Sequence, residues 1–328
     1  MKVLITGGAG YIGSTIASAC ADAGITPVIL DNLATGRREY LGHHAAYQGD
    51  IADGPLINRI YAEHPDLDAV IHCAALSTVP ESTTDPVLYY RENLAGTIAL
   101  TEHLLRNGCR RLLFASSAAV YGTTATTVTE TDSLAPASPY ARTKAGCEAF
   151  LHDTSAATGL AVIAMRYANP IGTDPLLRTG LQVDGPTHLL GRLISAAEDS
   201  TPFTLMGSDW PTRDGSGLRD FIHVWDLATA HVHALQRFDE ATTERPFLAL
   251  NISSGTGTTV RELAHAFQEA TGHTISLNEA PARPGDVAGF TLDNTLAGHL
   301  LGWFPKLTVT QAIHHAMEWR PVRTRMLT

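Results

Sequence analysis

A run of glycines near the start of the chain constrains its fold most. Gly7, Gly10 and Gly13 stand between an apolar run at residues 2–6, predicted to be a strand, and a helical pattern at residues 11–23. Glycine at these positions fits a tight turn, lets an anion approach the backbone and lets the helix pack closely on the sheet. The unpaired N–H groups of the first helical turn would face that anion. The sequence therefore predicts a strand–turn–helix unit that binds the pyrophosphate of a dinucleotide.

An acidic residue in the expected place supports this prediction. Asp31 ends the next predicted strand, residues 26–31, where a carboxylate can accept hydrogen bonds from the ribose of an adenosine. A carboxylate at this position would also repel a 2′-phosphate, so NAD is favoured over NADP. Arg37 and Arg38 could reverse that preference, but they lie several residues past the strand and are expected in a solvated loop.

Short apolar runs and longer helical patterns alternate through the first half of the chain. The predicted strands are residues 2–6, 26–31, 45–49, 68–74, 111–117 and 161–167. The predicted helices between them are residues 11–23, 54–63, 86–107 and 139–157. Each helix is long enough for a right-handed crossover between parallel strands. This alternation predicts an α/β fold, a Rossmann-type doubly wound parallel sheet with helices on both faces.

The pattern becomes irregular after about residue 169, where clusters of proline and glycine separate shorter elements. This change predicts a smaller C-terminal α/β lobe that binds substrate. We expect an NAD-binding Rossmann domain at residues 1–168 and the substrate lobe at residues 169–328. A helical pattern followed by an apolar run indicates that residues 223–252 return to the first domain.

Composition and charge exclude several classes of protein. The chain has 328 residues, of which 44% are hydrophobic, so it is not a disordered chain. A net charge of -10 argues against nucleic-acid and anionic-membrane partners, and no apolar run approaches the roughly 20 residues needed to cross a bilayer. The four cysteines form no CxxC pair, which favours a reducing cytoplasm. The histidine clusters lack carboxylate or thiolate partners at metal-site spacing, so no metal is expected.

A tyrosine and a lysine share one face of the predicted helix at residues 139–157. Tyr140 and Lys144 are one helical turn apart, and Ser116 and Ser117 end the strand at residues 111–117. Tyrosine is a poor base at neutral pH, and a nearby ammonium would lower its pKa. A hydroxyl at the carboxyl edge of the sheet can hold the oxygen whose proton moves. The sequence therefore predicts that Tyr140 exchanges a proton and that Lys144 tunes its pKa.

Further motifs extend this pattern along the chain. They are Gly49-Asp50-Ile51, Ile71-His72-Cys73-Ala74-Ala75, Glu92-Asn93, Ser116-Ser117-Ala118-Ala119-Val120-Tyr121-Gly122, Arg166-Tyr167-Ala168-Asn169-Pro170 and residues 209–224. With these motifs the chain resembles the extended short-chain dehydrogenase/reductase superfamily, and within it is most similar to the UDP-glucose 4-epimerases. The resemblance covers nearly the whole chain, and residues 209–224 are its most specific part.

The resemblance assigns expected roles to particular residues. The implied catalytic residues are Ser117, Tyr140 and Lys144. Together with the glycine turn, the expected cofactor-binding residues are Gly7, Gly10, Tyr11, Ile12, Gly13, Asp31, Asn32, Asp50, Ile51, Ala74, Ala75, Asn93, Tyr140, Lys144 and Tyr167. The implied substrate-binding residues are Ser117, Asn169, Arg219, Arg283, Asp286 and Phe290. A guanidinium suits phosphate oxygens, which agrees with the two arginines of this set.

The activity implied by the resemblance is that of an NAD-dependent epimerase. It would invert carbon 4 of a nucleotide-linked hexose, of the UDP-glucose/UDP-galactose type, through a transient 4-keto sugar, and it would be a homodimer. Phe290 aligns with a position that limits sugar size in the family, which favours plain hexoses over N-acetylhexosamines. Two alternatives remain open: another sugar-nucleotide oxidoreductase of the superfamily, and a non-catalytic protein that senses NAD.

The chain departs from the family pattern at several positions. It has Ser77 where the family usually has lysine, Ala119 where it has threonine, and Thr187-His188-Leu189 where it has an Asn-Leu pair near the diphosphate. These departures leave the sugar and the nucleotide base open. Ala118 and Ala119 also stand where related dehydratases and decarboxylases carry acidic residues, which argues against those two reactions.

Overall fold

The computed structural model describes residues 1–122, 126–183, 185–282 and 287–327. The strands in chain order are β1 (Lys2–Thr6), β2 (Thr26–Asp31), β3 (Ala45–Gln48), β4 (Leu67–His72), β5 (Arg111–Ser117), β6 (Thr127–Val128), β7 (Ala161–Tyr167), β8 (Asn169–Ile171), β9 (Phe203–Met206), β10 (Leu218–His223), β11 (Phe247–Ile252), β12 (Gly257–Thr259), β13 (Leu277–Ala280) and β14 (Thr291–Leu292).

The helices connect and cover these strands. In chain order they are α1 (Tyr11–Asp22), α2 (Gly54–Glu63), α3 (Val79–Thr84), α4 (Pro86–Tyr89), α5 (Gly96–Arg106), α6 (Pro139–Thr158), α7 (Leu189–Glu198), α8 (Val224–Gln236), α9 (Phe238–Thr242), α10 (Val260–Thr271), α11 (Thr295–Leu301) and α12 (Val309–Leu327). Short 3-10 turns lie at Arg38–Leu41 and Ala118–Val120. No helix of the described ranges has both the length and the apolar character to cross a membrane.

A seven-stranded sheet with the order β11-β7-β5-β4-β1-β2-β3 forms the centre of the fold. All of its pairings are parallel. The order turns back at β1, with β2 and β3 on one side and β4 on the other, which is the topology of a doubly wound sheet. The predicted Rossmann-type α/β fold is confirmed.

Alternating side chains bury the sheet on both faces. On β1, Val3 and Ile5 belong to the core under α1 and α8, whereas Leu4 belongs to the core under α2, α5 and α6. On β7, Ile163 faces the first core and Val162 the second. Successive residues of a strand point to opposite faces, so a strand covered on both sides must be apolar at nearly every position. This is why the apolar runs predicted the strands.

The helix predicted at residues 86–107 is interrupted in the structure. Between α4 and α5, residues Tyr90–Ala95 form a π-helical segment. A π turn holds one more residue than an α turn and is frequent at functional sites. Because the wider turn keeps a helical pattern of side chains, the sequence did not reveal it.

The residues after β7 form a second, smaller set of elements. Strand β8 pairs in parallel with β10, and β10 pairs antiparallel with β12. A third core, which includes Ile171, Leu193, Phe221, Phe267 and Ile313, lies between α7, α10 and α12. Between these elements the chain returns to the main sheet, because β11 pairs with β7 and α8 packs on α1.

Candidate active site

The glycine turn has the geometry of an anion cradle. Gly7 has φ +69°, and a Cβ added to it would lie 2.7 Å from the backbone nitrogen of Ala74. A Cβ on Gly13 would lie 2.2 Å from the carbonyl oxygen of Gly7. Helix α1 begins at Tyr11 behind Gly10, which supplies no side-chain cap. The first N–H groups of α1 have no earlier helical turn to donate to, so the turn fits the pyrophosphate of a dinucleotide.

Asp31 connects the glycine turn to the loop after β2. One oxygen of its carboxylate accepts a hydrogen bond from the backbone N–H of Ala9 at 2.9 Å, and the other accepts from that of Leu33 at 2.7 Å. Each carboxylate oxygen can accept two hydrogen bonds. Asp31 therefore shapes the turn and keeps acceptor capacity for the hydroxyls of a ribose.

Asn93 lies in the π-helical segment and organises the loop after β4. Its Oδ1 accepts from the backbone N–H of Leu76 at 2.8 Å, and its Nδ2 donates to the carbonyl of Leu76 at 3.0 Å. The same nitrogen donates to Oγ1 of Thr143 on α6 at 3.2 Å. The side chain is buried and well bonded. Its visible role is to hold the loop that carries Ala74 and Ala75.

The predicted catalytic residues meet at the carboxyl end of β5. Ser117 ends that strand, and its side chain is near enough to Tyr140 on α6 to act on the pKa of that phenol. Lys144, one turn along α6, is buried and donates from Nζ to the carbonyl of Ala115 at 2.7 Å. Its ammonium also lies 4.9 Å from the centre of the Phe114 ring. The structure thus brings the three residues together beside the end of one strand.

The expected lowering of the tyrosine pKa is not found. Burial raises the pKa of Tyr140, and the side chain of Ser117 opposes that rise. Burial also lowers the pKa of Lys144, while the thiols of Cys147 and Cys73 and the carboxylate of Glu148 act in the opposite direction. The prediction was wrong because it counted the charge of the lysine and ignored the removal of both groups from water.

Tyr167 is fixed by a buried histidine. Its hydroxyl lies 2.5 Å from Nε2 of His231, and Nδ1 of His231 lies 2.9 Å from the carbonyl of Leu227. A carbonyl can only accept, so Nδ1 carries the proton and the Tyr167 hydroxyl donates to Nε2. Burial lowers the pKa of His231 to about 4 and raises that of Tyr167, to which Cys73 and Tyr140 also contribute. Tyr167 therefore lies near Tyr140 with its ring held in place.

The remaining predicted cofactor residues border the same edge of the sheet. Asn32 and Asp50 each accept a hydrogen bond from a backbone N–H two residues later, at 3.0 and 2.8 Å. Ile51 packs against the core under α2 and α5, and Ile12 against the core under α1. The hydroxyl of Tyr11 donates to the carbonyl of Gly172 at 2.7 Å. Its side chain is thus bound to protein, and only its backbone is available to an anion.

Two predicted substrate residues lie on β8 and β10: Asn169 begins β8 and pairs with Phe221 of β10, and Arg219 lies two residues before Phe221. Asn169 donates from Nδ2 to the carbonyl of Asp220 at 3.1 Å. Arg219 donates to the carbonyl of Leu218 at 2.6 Å and reaches the carbonyls of Val287 and Ala288 at 3.4 Å. A guanidinium suits an anionic ligand, so Arg219 fits the phosphate-binding role that the resemblance implies for it.

Phe290 packs against Tyr121, which follows β5 and its 3-10 turn in the chain. Its ring meets that of Tyr121 edge to face, with centroids 6.2 Å apart. It is partly buried on the main core. Two further predicted substrate residues, Arg283 and Asp286, lie outside the described residues.

His188, one of the departures from the expected pattern, caps α7. Its Nδ1 accepts from the backbone N–H of Gly191 at 3.2 Å, so in the neutral ring Nε2 carries the proton. That Nε2 is buried without a hydrogen-bond partner, and burial lowers the pKa of His188 to about 4. Elsewhere, the described part of the chain holds no group of three His, Cys, Asp or Glu side chains that could bind a metal.

Comparison with known proteins agrees with this geometry. The family model described as "NAD dependent epimerase/dehydratase family" matches residues 3–253. The chain belongs to this family. The match covers the glycine turn, Ser117 on β5, Tyr140 and Lys144 on α6, and strands β8 and β10.

Curated and solved members of the epimerase/dehydratase family align over nearly the full chain. The UDP-glucose 4-epimerase of Halalkalibacterium halodurans is 36% identical over 97% of this chain and 95% of its own length. That of Bacillus subtilis is 36% identical over 98% and 97%. The crystal structure of UDP-glucose 4-epimerase from Stenotrophomonas maltophila, with bound NAD and formylated UDP-arabinopyranose, superposes with a TM-score of 0.94 at 36% identity over 99% of both chains. A Bifidobacterium longum structure with NAD⁺ and UDP has a TM-score of 0.92 at 30% identity, over 99% of this chain and all of its own.

Sequence reasoning missed three buried side chains that support the site of this family member. His231 holds Tyr167, and Glu148 and Arg166 form a buried ion pair behind Ser117. One signal was available for Glu148, because it lies one helical turn beyond Lys144 on the face that carries Tyr140. His231 offered no comparable signal.

Proposed function

We propose that this protein is an NAD-dependent epimerase that inverts carbon 4 of a nucleotide-linked hexose. The observation that carries the proposal is that Ser117 at the end of β5 meets Tyr140 and Lys144 of α6, at the sheet edge that also holds the glycine turn. The UDP-glucose 4-epimerases of similar sequence, and the similar structures with NAD and UDP ligands, support it.

Tyr140, Ser117 and Lys144 have separate roles in the proposed reaction. NAD, when bound, supplies a hydride acceptor that turns carbon 4 into a ketone and then returns the hydride, and its positive charge favours a phenolate. Tyr140 takes the proton of the 4-hydroxyl and gives it back, as general base and then general acid. Ser117 donates a hydrogen bond to the same oxygen. Lys144, one turn along α6, would hold a positive charge near the phenolate formed when Tyr140 gives up its proton.

The reversal of stereochemistry requires one firm anchor and one mobile group. Arg219 and Asn169 would hold the diphosphate and ribose of the nucleotide, and we propose the same role for Arg283 and Asp286. Binding energy from the nucleotide then keeps the ketone in the site while the sugar turns its other face. Gly7, Gly10 and Gly13 would hold the pyrophosphate of NAD, and the remaining predicted cofactor residues would line its adenosine and nicotinamide.

A panel of nucleotide sugars tests the function. Purified protein is incubated with UDP-, GDP- and dTDP-hexoses and with UDP-pentoses, without added reductant, and the products are separated by anion-exchange chromatography. We expect inversion at carbon 4 of UDP-glucose or UDP-galactose. Tyr140→Phe is expected to lower turnover by about 10³-fold or more while NAD remains bound, because it removes the proton carrier and little volume.

The same experiment separates the alternatives. Net oxidation or reduction of a sugar that consumes free NAD would identify another sugar-nucleotide oxidoreductase. Tight NAD binding without any turnover would identify a cofactor-sensing protein. Turnover of the Tyr140→Phe variant within tenfold of wild type would remove Tyr140 from the mechanism.

The division of the chain follows from this function. We propose that residues 1–168, with residues 223–252, form the NAD-binding domain and that the rest of 169–328 forms the substrate lobe. The pairing of β11 with β7 and the separate core between α7, α10 and α12 support this division.

We also propose a homodimer in a reducing cytoplasm. Val87, Tyr90 and Ile98 are 72%, 40% and 41% exposed on neighbouring turns of α4, the π-helical segment and α5, which leaves an apolar surface for a second copy. Sedimentation of wild type and Ile98→Glu tests this surface, and a monomeric wild type would contradict it. The cytoplasm is supported by the four cysteines, all of which are free.

A further inference from the structure

A buried ion pair joins the three elements that carry the proposed active site. Glu148 on α6 and Arg166 on β7 are 3% and 5% exposed. The Arg166 guanidinium donates to the Glu148 carboxylate through Nη2 at 2.6 Å and through Nε at 3.1 and 3.2 Å. The same carboxylate accepts a hydrogen bond from the hydroxyl of Ser116 on β5. One carboxylate thus binds α6, β5 and β7 to one another.

Each contact of the Glu148–Arg166 pair lies next to a residue of the site. Ser116 precedes Ser117 on β5, and Arg166 precedes Tyr167 on β7. In the register of these strands Ser116 pairs with Arg166, and Ser117 pairs with Tyr167. The pair therefore fixes the ends of β5 and β7 one residue before Ser117 and Tyr167.

A second bond holds the same strand end to α6. Lys144 donates from Nζ to the carbonyl of Ala115. Helix α6 is therefore hydrogen-bonded to β5 at two adjacent residues, at Ala115 through Lys144 and at Ser116 through Glu148. Lys144 and Glu148 are one turn apart on α6. Loss of the Glu148 bond would leave Lys144 as the one of these two side chains that still bonds α6 to the end of β5.

Arg166 links the ion pair to Phe290, a residue of the proposed sugar site, through Tyr121. Nη1 of Arg166 donates to the hydroxyl of Tyr121 at 2.7 Å, and that hydroxyl donates to Oδ1 of Asn251 at 2.7 Å. The Tyr121 ring packs edge to face on Phe290. The position of Phe290 is thus linked to the same network.

The charges of this region also point to a role for Glu148. Lys144 and Arg166 are both buried cations, and Glu148 is the anion that faces both. The other groups acting on Lys144 are the thiols of Cys73 and Cys147, which are weak acids, and His72 is the nearby base. Without the charge of Glu148, two cations would share a low-dielectric site, which favours loss of the Lys144 proton.

We propose that Glu148, held by Arg166, is a positioning residue for the active site: it sets the place of Ser117 and Lys144 and keeps Lys144 protonated. A buried ion pair adds little net stability compared with apolar side chains of the same volume. Its directional bonds and its charge are what apolar side chains could not supply. The effect on turnover rests on the proposed function, whereas the effect on Lys144 does not.

Nuclear magnetic resonance of labelled lysine tests the charge directly. The chain has three lysines, Lys2, Lys144 and Lys306, so protein labelled at the ε-carbon of lysine gives three signals, and Lys144→Arg assigns the one of interest. We expect Glu148→Gln to lower the pKa of Lys144 by about one unit or more, because it removes a facing charge. Glu148→Asp keeps the charge and is expected to restore most of that shift.

Turnover tests the positioning. Glu148→Gln is expected to lower kcat by about 10- to 100-fold with a smaller change in KM, since small displacements of reacting groups cost this much. The alkaline limb of its pH–kcat profile should move to lower pH, following Lys144. Glu148→Asp should keep that limb in place but lose kcat, because its shorter side chain reaches Ser116 and Arg166 less well.

A control and a second variant keep the test decisive. Asp239→Asn breaks the paired hydrogen bonds to Arg111 at the opposite end of β5 and should leave kcat and the Lys144 titration unchanged. If Glu148→Gln does not fold, the double variant Glu148→Met with Arg166→Met removes both charges together. That variant, folded and with wild-type kcat, would overturn the positioning role. An unchanged Lys144 pKa in Glu148→Gln would overturn the electrostatic role, even if no sugar nucleotide proves to be a substrate.

Discussion

Three buried histidines predict how the stability of this protein depends on pH. His72, His223 and His231 are at most 2% exposed. Burial lowers their pKa to about 3, about 3 and about 4. In each case the removal of the charged form from water is the largest cause. For His72 the nearby ammonium of Lys144 adds to it, and for His223 the ring of His315 does.

The hydrogen bonds of these rings hold them in the neutral form. At His72, the hydroxyl of Thr97 donates to a backbone carbonyl, so it must accept from Nε2 at 3.0 Å. The hydroxyl of Thr6 is then left to donate to Nδ1 at 2.7 Å. A second proton, on Nδ1, would face the Thr6 hydroxyl, which donates to that nitrogen and does not accept from it. This agrees with the low pKa of His72.

The direction of the effect follows from which state binds protons. An unfolded histidine takes up a proton near pH 6.5, whereas the folded one stays neutral until about pH 3 to 4. Between these values the unfolded state binds more protons, so stability falls as pH falls. From pH 7.5 to pH 5.5 each histidine costs about 1.4 kcal/mol, and the three together cost about 4 kcal/mol. That is a large share of the roughly 5–15 kcal/mol that stabilises a typical domain.

Urea denaturation at pH 7.5, 6.5 and 5.5 measures this loss, and single variants isolate each histidine. His231→Gln keeps an acceptor for Tyr167 and should reduce the loss between pH 7.5 and 5.5 by about 1.4 kcal/mol. His265→Gln is the matched control, because His265 lies on the exposed face of α10 and is 70% exposed. Burial raises the pKa of Asp220 and Asp226, which acts in the opposite direction, so the difference between variants is the decisive quantity. A His231→Gln protein with the pH dependence of wild type would refute the reasoning.

Three further perturbations test the cofactor cradle and the sugar site. Gly7→Ala should lose at least tenfold in NAD affinity, because its Cβ would lie 2.7 Å from the backbone of Ala74. Gly24→Ala is the control, since Gly24 has a similar φ of +73° but no atom within 4 Å of an added Cβ. Equal NAD affinity for the two variants would contradict the role of the glycine turn. Asn93→Ala should destabilise the fold by about 1–3 kcal/mol in urea and weaken NAD binding in titrations, because the N–H and carbonyl of Leu76 lose their partner. Phe290→Cys should change the ratio of kcat/KM for UDP-galactose and UDP-N-acetylgalactosamine by about 5- to 150-fold toward the acetylated sugar, and a constant ratio would exclude Phe290 from sugar selection.

Local patterns in the sequence determined the architecture and the main elements of the site. The strands of the main sheet are apolar on both faces, so their runs stand out, as at residues 2–6 and 161–167. The glycine turn and the Tyr140–Lys144 spacing are also local, because a tight turn or one helical turn places these residues without help from the rest of the chain. Ser117, in contrast, lies on β5 and joined Tyr140 and Lys144 only when α6 packed against that strand.

Only the tertiary structure decided what surrounds these residues. The partners of Glu148 on β5 and β7 depend on the register of two strands distant in sequence, and the partner of Tyr167 lies on a helix more than sixty residues later. The pKa of Tyr140 is raised, not lowered, because the side chain is buried away from water. Burial and long-range hydrogen bonds are properties of the packed chain as a whole, and they carry no periodic signal that a sequence could display.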